Sequence, residues 1–397
     1  MHSFVIKYKN ILYGVLGICL FQGIISDYLG FRQVNYLCDI LLVLLLVVML
    51  CRKQVKLNKT TNNIEYISIL AFAIVALIGW GLNTVRLPSA LWGLRNYGRF
   101  FLFFLLGRSL WNGEDVETME NFFMKIFPIH MILIAFQYVV EGLNQDFLSG
   151  LFGKTAGGNG GLMIYLSVIL CIVICQFEYK KISTKKFVCY LLLIFVNAAL
   201  SELKFLFVLA SLLVVWYLAM SKRKGRGMIL ALFFVIALYV GMQIFYYVFP
   251  FWANYLSFDN IMTMISDQEV YANQMDVGRT AVFSKLTPVI TKWAGQHAVW
   301  FGIGLGNGDY SDAIPMLNSA FYTVYGIMHY TWLSLGYLFV EVGYLGTIVY
   351  ISFFVILEIK AIVAYQKRSS YYNLLGTFFP IVFMIIIVYN STLRSNF

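Results

Sequence analysis

The chain has 397 residues, of which 60% are apolar, 18% aromatic and only 12% charged, and its mean hydropathy is +0.77. Soluble domains carry roughly 25% charged residues, so this chain cannot cover a globule of its size with polar surface, which excludes soluble-domain functions. Its net charge of +10 does not indicate nucleic acid, because the basic residues fall in short clusters between apolar runs rather than on one water-facing patch.

A spanning helix needs about 20 mostly apolar residues. Eleven runs qualify or nearly so: about 11–25, 34–51, 64–82, 91–111, 121–141, 161–177, 187–200, 203–220, 228–248, 330–358 and 372–390. The expected fold class is an all-α polytopic membrane protein with about 11 (10–12) transmembrane helices. The first run lacks a small-residue cleavage site and is followed by more spans, so it reads as a span rather than a signal peptide. Three stretches organise the chain: an N-terminal bundle of about nine helices over 1–248, one large extracytoplasmic loop over 249–328, and C-terminal helices over 329–397. All six cysteines lie in or at the ends of apolar runs, a pattern unlike a disulfide framework.

Most basic residues gather on one side of this topology, which sets the N-terminus in the cytoplasm. Phe187–Met220 tests it independently. The stretch would be about 51 Å long as one helix, too long for one upright crossing. It is flanked by Lys180, Lys181, Lys185 and Lys186 before and by Lys222, Arg223, Lys224 and Arg226 after. Two cytoplasmic ends require a hairpin, with its polar tip at Ser201-Glu202-Leu203-Lys204.

Ionisable groups inside a bilayer are rare and cost a few kcal/mol. Arg95 and Arg99, in LRNYGRFF of the fourth run, project from one helix face. Two readings stand: snorkelling with a structural salt bridge, or an anion site facing a cavity. Glu202 and Lys204 form an interfacial pair at the hairpin tip. In the large loop, Arg279 opens a segment in which Val282, Phe283, Leu286, Val289, Ile290 and Trp293 recur at helical spacing. That pattern predicts an amphipathic helix at the membrane surface, with a break near Thr287 or a fresh start capped by it because of Pro288.

The glycine-rich run 302–309 is followed by no Gly-Lys-Ser/Thr, so it reads as a tight turn rather than a nucleotide loop. His329 lies where the loop meets the tenth run, and imidazole chemistry suits proton transfer. Glu341, in the apolar run that follows, needs a buried donor. The four histidines are scattered without ligand spacing, so no metal site is expected.

Taken together, Gly278-Arg279 with its amphipathic helix, FGIGLGNG at 301–308, His329 with Leu333, and Glu341-Val342-Gly343-Tyr344-Leu345-Gly346 resemble the O-antigen polymerase and ligase superfamily of Wzy-type enzymes. LRNYGRFF looks like that family's arginine-bearing helix, and Lys204 stands where many members carry an arginine. The resemblance implies a GT-C-like fold in the bacterial cytoplasmic (inner) membrane. The implied activity is polymerisation of undecaprenyl-diphosphate-linked oligosaccharide repeat units at the outer face, by a glycosyltransferase building O-antigen, capsule or exopolysaccharide. Arg279 and His329 would be catalytic, and Arg95, Arg99, Lys204 and Glu341 would bind substrate. No cofactor, metal or nucleic acid is implied. The implied partners are the lipid-linked oligosaccharides, the bilayer, a flippase and a chain-length regulator. The alternatives are a ligase that transfers glycan to a lipid A core or other acceptor and, from another class, a lipid-linked glycan flippase or secondary transporter.

Overall fold

A computed structural model of the chain describes residues 8–31, 33–51, 63–254, 275–311 and 314–395. Among these residues the regular structure is helical, without strands. Nine helices come first: α1 (Tyr8–Asp27), α2 (Val34–Cys51), α3 (Ile64–Asn83), α4 (Leu87–Leu110), α5 (Gly113–Val139), α6 (Gly158–Glu178), α7 (Thr184–Leu200), α8 (Lys204–Met220) and α9 (Lys224–Val248). Then follow α10 (Val282–Ala294), α11 (Gln296–Phe301), α12 (Ala320–Tyr325), α13 (Ser334–Lys367), α14 (Tyr371–Gly376), α15 (Phe379–Tyr389) and α16 (Thr392–Ser395). Among the described residues, seven helical stretches are long and apolar enough to cross a bilayer: α1, α3, α5, α6, α9, α13 and the Tyr371–Tyr389 stretch. The protein is a multi-pass membrane protein.

The chain groups into two compact units of interleaved segments. The first comprises Met1–Leu57, Leu102–Ala253 and Ala361–Val382. Its centre is α6, buried over 83% of its apolar window where most other spans are buried over about a third or less. Only a helix wrapped by other helices can be apolar on all sides and still shielded. Helix α7 lies along α9, where Gly241 leaves room for Phe195, which stacks on Phe207 with ring centroids 5.5 Å apart. The α7–α8 turn falls at 201–203, and Glu202 adopts a left-handed φ of 55° there, at the expected hairpin tip.

Buried His130 and Gln137 of this unit find partners, as a low-dielectric interior favours. His130 Nε2 lies 2.7 Å from Asn197 Nδ2. Gln137 accepts from the Gly150 amide at 2.7 Å and donates to the Gly150 and Gly153 carbonyls. Asp27 accepts from the Lys154 amide at 2.7 Å. These contacts hold the irregular stretch 144–157 in place by side chains, where no helix ladder can do so.

The second unit comprises Asn58–Phe101, Asn254–Lys360 and Phe383–Phe397. Phe72, Tyr97, Phe101, Tyr350 and Phe353 pack at its centre, with ring centroids 5.3–6.0 Å apart. Lys360 pairs with the buried Glu65. Helix α3 holds the glycine run: Trp80 Nε1 donates to Leu305 O at 3.1 Å and Asn83 Nδ2 to Gly302 O at 3.0 Å.

Two local expectations change. Helix α10 is amphipathic, but it runs unbroken through Pro288. Thr287 does not cap a new helix; its hydroxyl donates back to Phe283 O at 2.6 Å. A proline inside a helix costs about 3 kcal/mol, and the full burial of Val282, Leu286 and Ile290 outweighs it, at about 1.5–3 kcal/mol per side chain. The helix after the loop starts at Ser334, not at residue 330. His329 therefore lies outside it, at a left-handed φ of 51° between two 3-10 turns. Helix α13 also breaks its own ladder at Gly343, where φ is 64° and ψ −164°.

Candidate functional site

Five of the six sequence-predicted site residues, Arg95, Arg99, Arg279, His329 and Glu341, belong to the second unit, and Lys204 belongs to the first. The five form two groups. The first surrounds Glu341, which is fully buried. Arg394 Nη2 donates to both Glu341 oxygens at 3.2 Å, and Gly306 N donates to Oε1 at 3.0 Å. Arg394 also grips Asp309 in a two-pronged pair, Nη1 to Oδ1 at 3.1 Å and Nη2 to Oδ2 at 2.7 Å. Its guanidinium lies 3.6 Å from the Tyr337 ring centroid, and its Nε donates to Tyr97 Oη at 3.2 Å. Flat stacking combined with forked donation is a guanidinium property that an ammonium group lacks.

The two fourth-run arginines attach to the edges of this network. Arg99, buried, donates to Arg394 O at 2.7 Å. Arg95 donates to Asn96 Oδ1 at 3.1 Å and stands over the Trp92 ring at 4.6 Å. Asn96 in turn donates to Asp309 Oδ2 at 2.6 Å. Two carboxylates and two guanidinium groups thus share one buried cluster, which is how a low-dielectric interior tolerates ionised groups. The glycine run makes it possible. Gly302 and Gly306 have φ of 73° and 85°, and a Cβ at either would collide with the backbone of Glu341 or Ser89. Ile303 N and Gly304 N donate to the Val340 and Glu341 carbonyls at 2.9 and 3.0 Å. The run is the tight turn its sequence indicated, and it packs against the first turns of α13.

The second group is built on the turn Asp276–Arg279. Asp276 is buried, and its Oδ1 lies 2.7 Å from His329 Nδ1. A carboxylate only accepts, so Nδ1 carries a proton, and in the neutral ring Nε2 is left as the acceptor. The imidazole stacks on Trp332 with centroids 4.0 Å apart, which fixes its plane. Val277 N donates to Met328 O at 2.9 Å, and Lys285 Nζ donates to Asp276 O, so the two strands of loop are clamped on either side of the dyad. His329 keeps 37% of its side-chain surface while Asp276 keeps 6%, so the imidazole is the accessible member of the pair. Arg279 lies half-buried, with Nε donating to Tyr389 O at 3.2 Å and its guanidinium 4.6 Å over the Tyr389 ring.

The stretch Tyr389–Arg394 joins the two groups. Tyr389 O accepts from Arg279, Asn390 O from Ser334 N at 2.9 Å, and Arg394 anchors Glu341 and Asp309. The Tyr330 hydroxyl donates to Gly308 O at 2.6 Å, tying the glycine run to the residue after His329.

No protein-family model matches the chain, and comparison with characterised proteins and with solved structures finds no match.

Lys204 has its contacts within the first unit. It pairs with Glu202 at 3.1 Å and lies 3.0 Å from the Trp252 ring centroid, as an interfacial anchor does. Sequence reasoning passed over Asp276, Asp309, Asn96 and Arg394. The usable signals were faint: an acid three residues before Arg279, an acid closing the glycine run, and an arginine soon after the apolar run of α15.

Proposed function

We propose that the protein is a glycosyltransferase of the O-antigen polymerase type. It joins undecaprenyl-diphosphate-linked oligosaccharide repeat units at the outer face of the bacterial cytoplasmic membrane. The observation that carries this reading is the Asp276–His329 dyad, at 2.7 Å, whose acid lies on the turn that also bears Arg279. On this reading the fold is GT-C-like, all eleven apolar runs cross the bilayer, the N-terminus is cytoplasmic, and the loop holding the dyad faces outward. A flippase would supply the donor, and a chain-length regulator would govern product length.

The chemistry follows from the two side chains. His329 Nε2 takes the proton from an acceptor sugar hydroxyl as that oxygen attacks the anomeric carbon of the donor glycan. The new glycosidic C–O bond forms while the bond from that carbon to the diphosphate oxygen breaks. The electron pair leaves with undecaprenyl diphosphate, and the Arg279 guanidinium stabilises the growing negative charge. Asp276 stabilises the protonated imidazole until the proton is released. Arg95 is assigned to the donor's charged groups, whereas Arg99 and Glu341 hold the frame around Arg394.

The test is reconstitution of the full-length protein in vesicles with lipid-linked repeat units. A ladder of lengthening glycan is expected, lost in Arg279→Ala and His329→Ala variants that still reach the membrane. Polymer of normal length from Arg279→Ala would overturn the assignment.

A further inference from the structure

The first unit carries a cationic groove that the glycosyl-transfer reading does not use. Helix α6 ends at Glu178 and α9 begins at Lys224. Between these ends lies a groove of about 510 Å³ lined by Tyr179, Lys180, Arg223, Lys224, Gly225 and Arg226. Four of the six lining residues are cationic, and none is acidic. The neighbouring acid, Glu178, is buried and already engaged: its carboxylate accepts from Tyr217 Oη at 2.5 Å and from Ser221 Oγ at 3.3 Å.

The two arginines are held, not merely flanking. Arg223 Nη1 donates to Glu178 O at 2.9 Å, and Arg226 Nη1 donates to the Phe177 and Glu178 carbonyls at 3.1 and 2.9 Å. These bonds cap the last carbonyls of α6 with the favourable charge sign and fix two guanidinium groups in the wall. Arg223 also lies 5.4 Å from the Tyr179 ring centroid. Lys180 and Lys224 are exposed and complete the cationic lining. Gly225 brings no side chain, and nothing lies within 4 Å of where a Cβ would stand.

Both helices bordering the groove are among those long and apolar enough to span, so the groove sits at the level where headgroup phosphates lie. We propose that it binds the phosphate of an anionic phospholipid headgroup, a chemistry that a free phosphate ion would share.

The test uses the full-length protein in a neutral detergent, with native mass spectrometry and thermal unfolding as readouts. The probes are phosphatidylglycerol, phosphatidylcholine and inorganic phosphate. Two variants are compared with the parent: a Lys180→Gln, Lys224→Gln double variant, and Gly225→Asp. The aspartate enters the first turn of α9, where a carboxylate favours the helix, so the fold is kept while an anion is repelled. Phosphatidylglycerol is expected to bind about tenfold more tightly than phosphatidylcholine, and both variants should lose that preference. Protection by inorganic phosphate equal to that by phosphatidylglycerol, and lost in both variants, would overturn the lipid assignment in favour of a free-ion site. Equal binding of the two lipids by the parent, or an unchanged preference in both variants, would overturn the groove as a site for an anionic headgroup.

Discussion

Arg394 and Asp309, 85 residues apart, meet in a two-pronged ion pair at 2.7 and 3.1 Å, and the same guanidinium also bonds both oxygens of Glu341. One cation therefore neutralises an acid at the end of the glycine run and an acid in α13. The loop and the helix are joined through a residue belonging to neither.

Removing that cation should be severe. Arg394→Ala leaves Asp309 and Glu341 facing each other without their guanidinium, and breaking a buried pair costs about 3–5 kcal/mol. Thermal unfolding of the purified protein should show the loss. Arg394→Lys should restore only part of it, because an ammonium cannot reproduce the fork over the Tyr337 ring. Full stability in the lysine variant would show that the two-pronged geometry contributes little.

Asp276→Asn should act on the tautomer of His329 rather than on folding. An amide donates as readily as it accepts, so Nδ1 no longer has to carry the proton. Nitrogen chemical shifts of the labelled imidazole should move toward the opposite tautomer. Under the proposed reaction, glycan laddering should fall at least tenfold while unfolding shifts by less than about 1–2 kcal/mol. An unaltered imidazole spectrum would remove the dyad.

Two glycines of the second unit should respond oppositely to alanine. At Gly302, φ is 73° and a Cβ would strike the Glu341 backbone; Gly302→Ala should cost about 2 kcal/mol or more and lower the membrane yield. At Gly81, within α3, nothing lies within 4 Å of the Cβ position, and Gly81→Ala should be neutral or stabilise by up to about 1 kcal/mol. Comparing unfolding midpoints of the two variants checks both.

In the first unit, His130→Leu should destabilise by about 1–3 kcal/mol. It removes the ring nitrogen 2.7 Å from Asn197 Nδ2 while keeping most of the apolar contact. The paired change His130→Leu, Asn197→Leu should recover only part of the loss, since it removes the mutual mismatch but still leaves Ser201 Oγ and Leu151 N without these acceptors. A double-variant cycle on unfolding midpoints measures the coupling.

Much of the helical framework is legible in the sequence, because a span declares itself through some 20 local residues. The α7–α8 turn at 201–203 was readable from basic flanks and excess length, and α10 from its apolar spacing. Its passage through Pro288 was not readable, because the compensating burial of Val282, Leu286 and Ile290 comes from residues remote in sequence. Glu341 plainly needed a donor, but nothing local pointed to an arginine 53 residues away. Asp276 was hidden likewise: its partner His329 lies 53 residues on, and their pairing is set by how the loop folds back, not by any periodicity.

The bend at Gly343 changes what kind of charge Glu341 is. As one rod, α13 would be about 51 Å long, well beyond a hydrocarbon layer of about 30 Å. The non-helical glycine instead divides it into a stub, Ser334–Val342, and a rod of about 36 Å from Tyr344 to Lys367. The rod alone suffices to traverse the lipid. Glu341 then sits on the stub, packed against the glycine run through the Gly306 amide, mechanically part of the loop scaffold rather than of the rod.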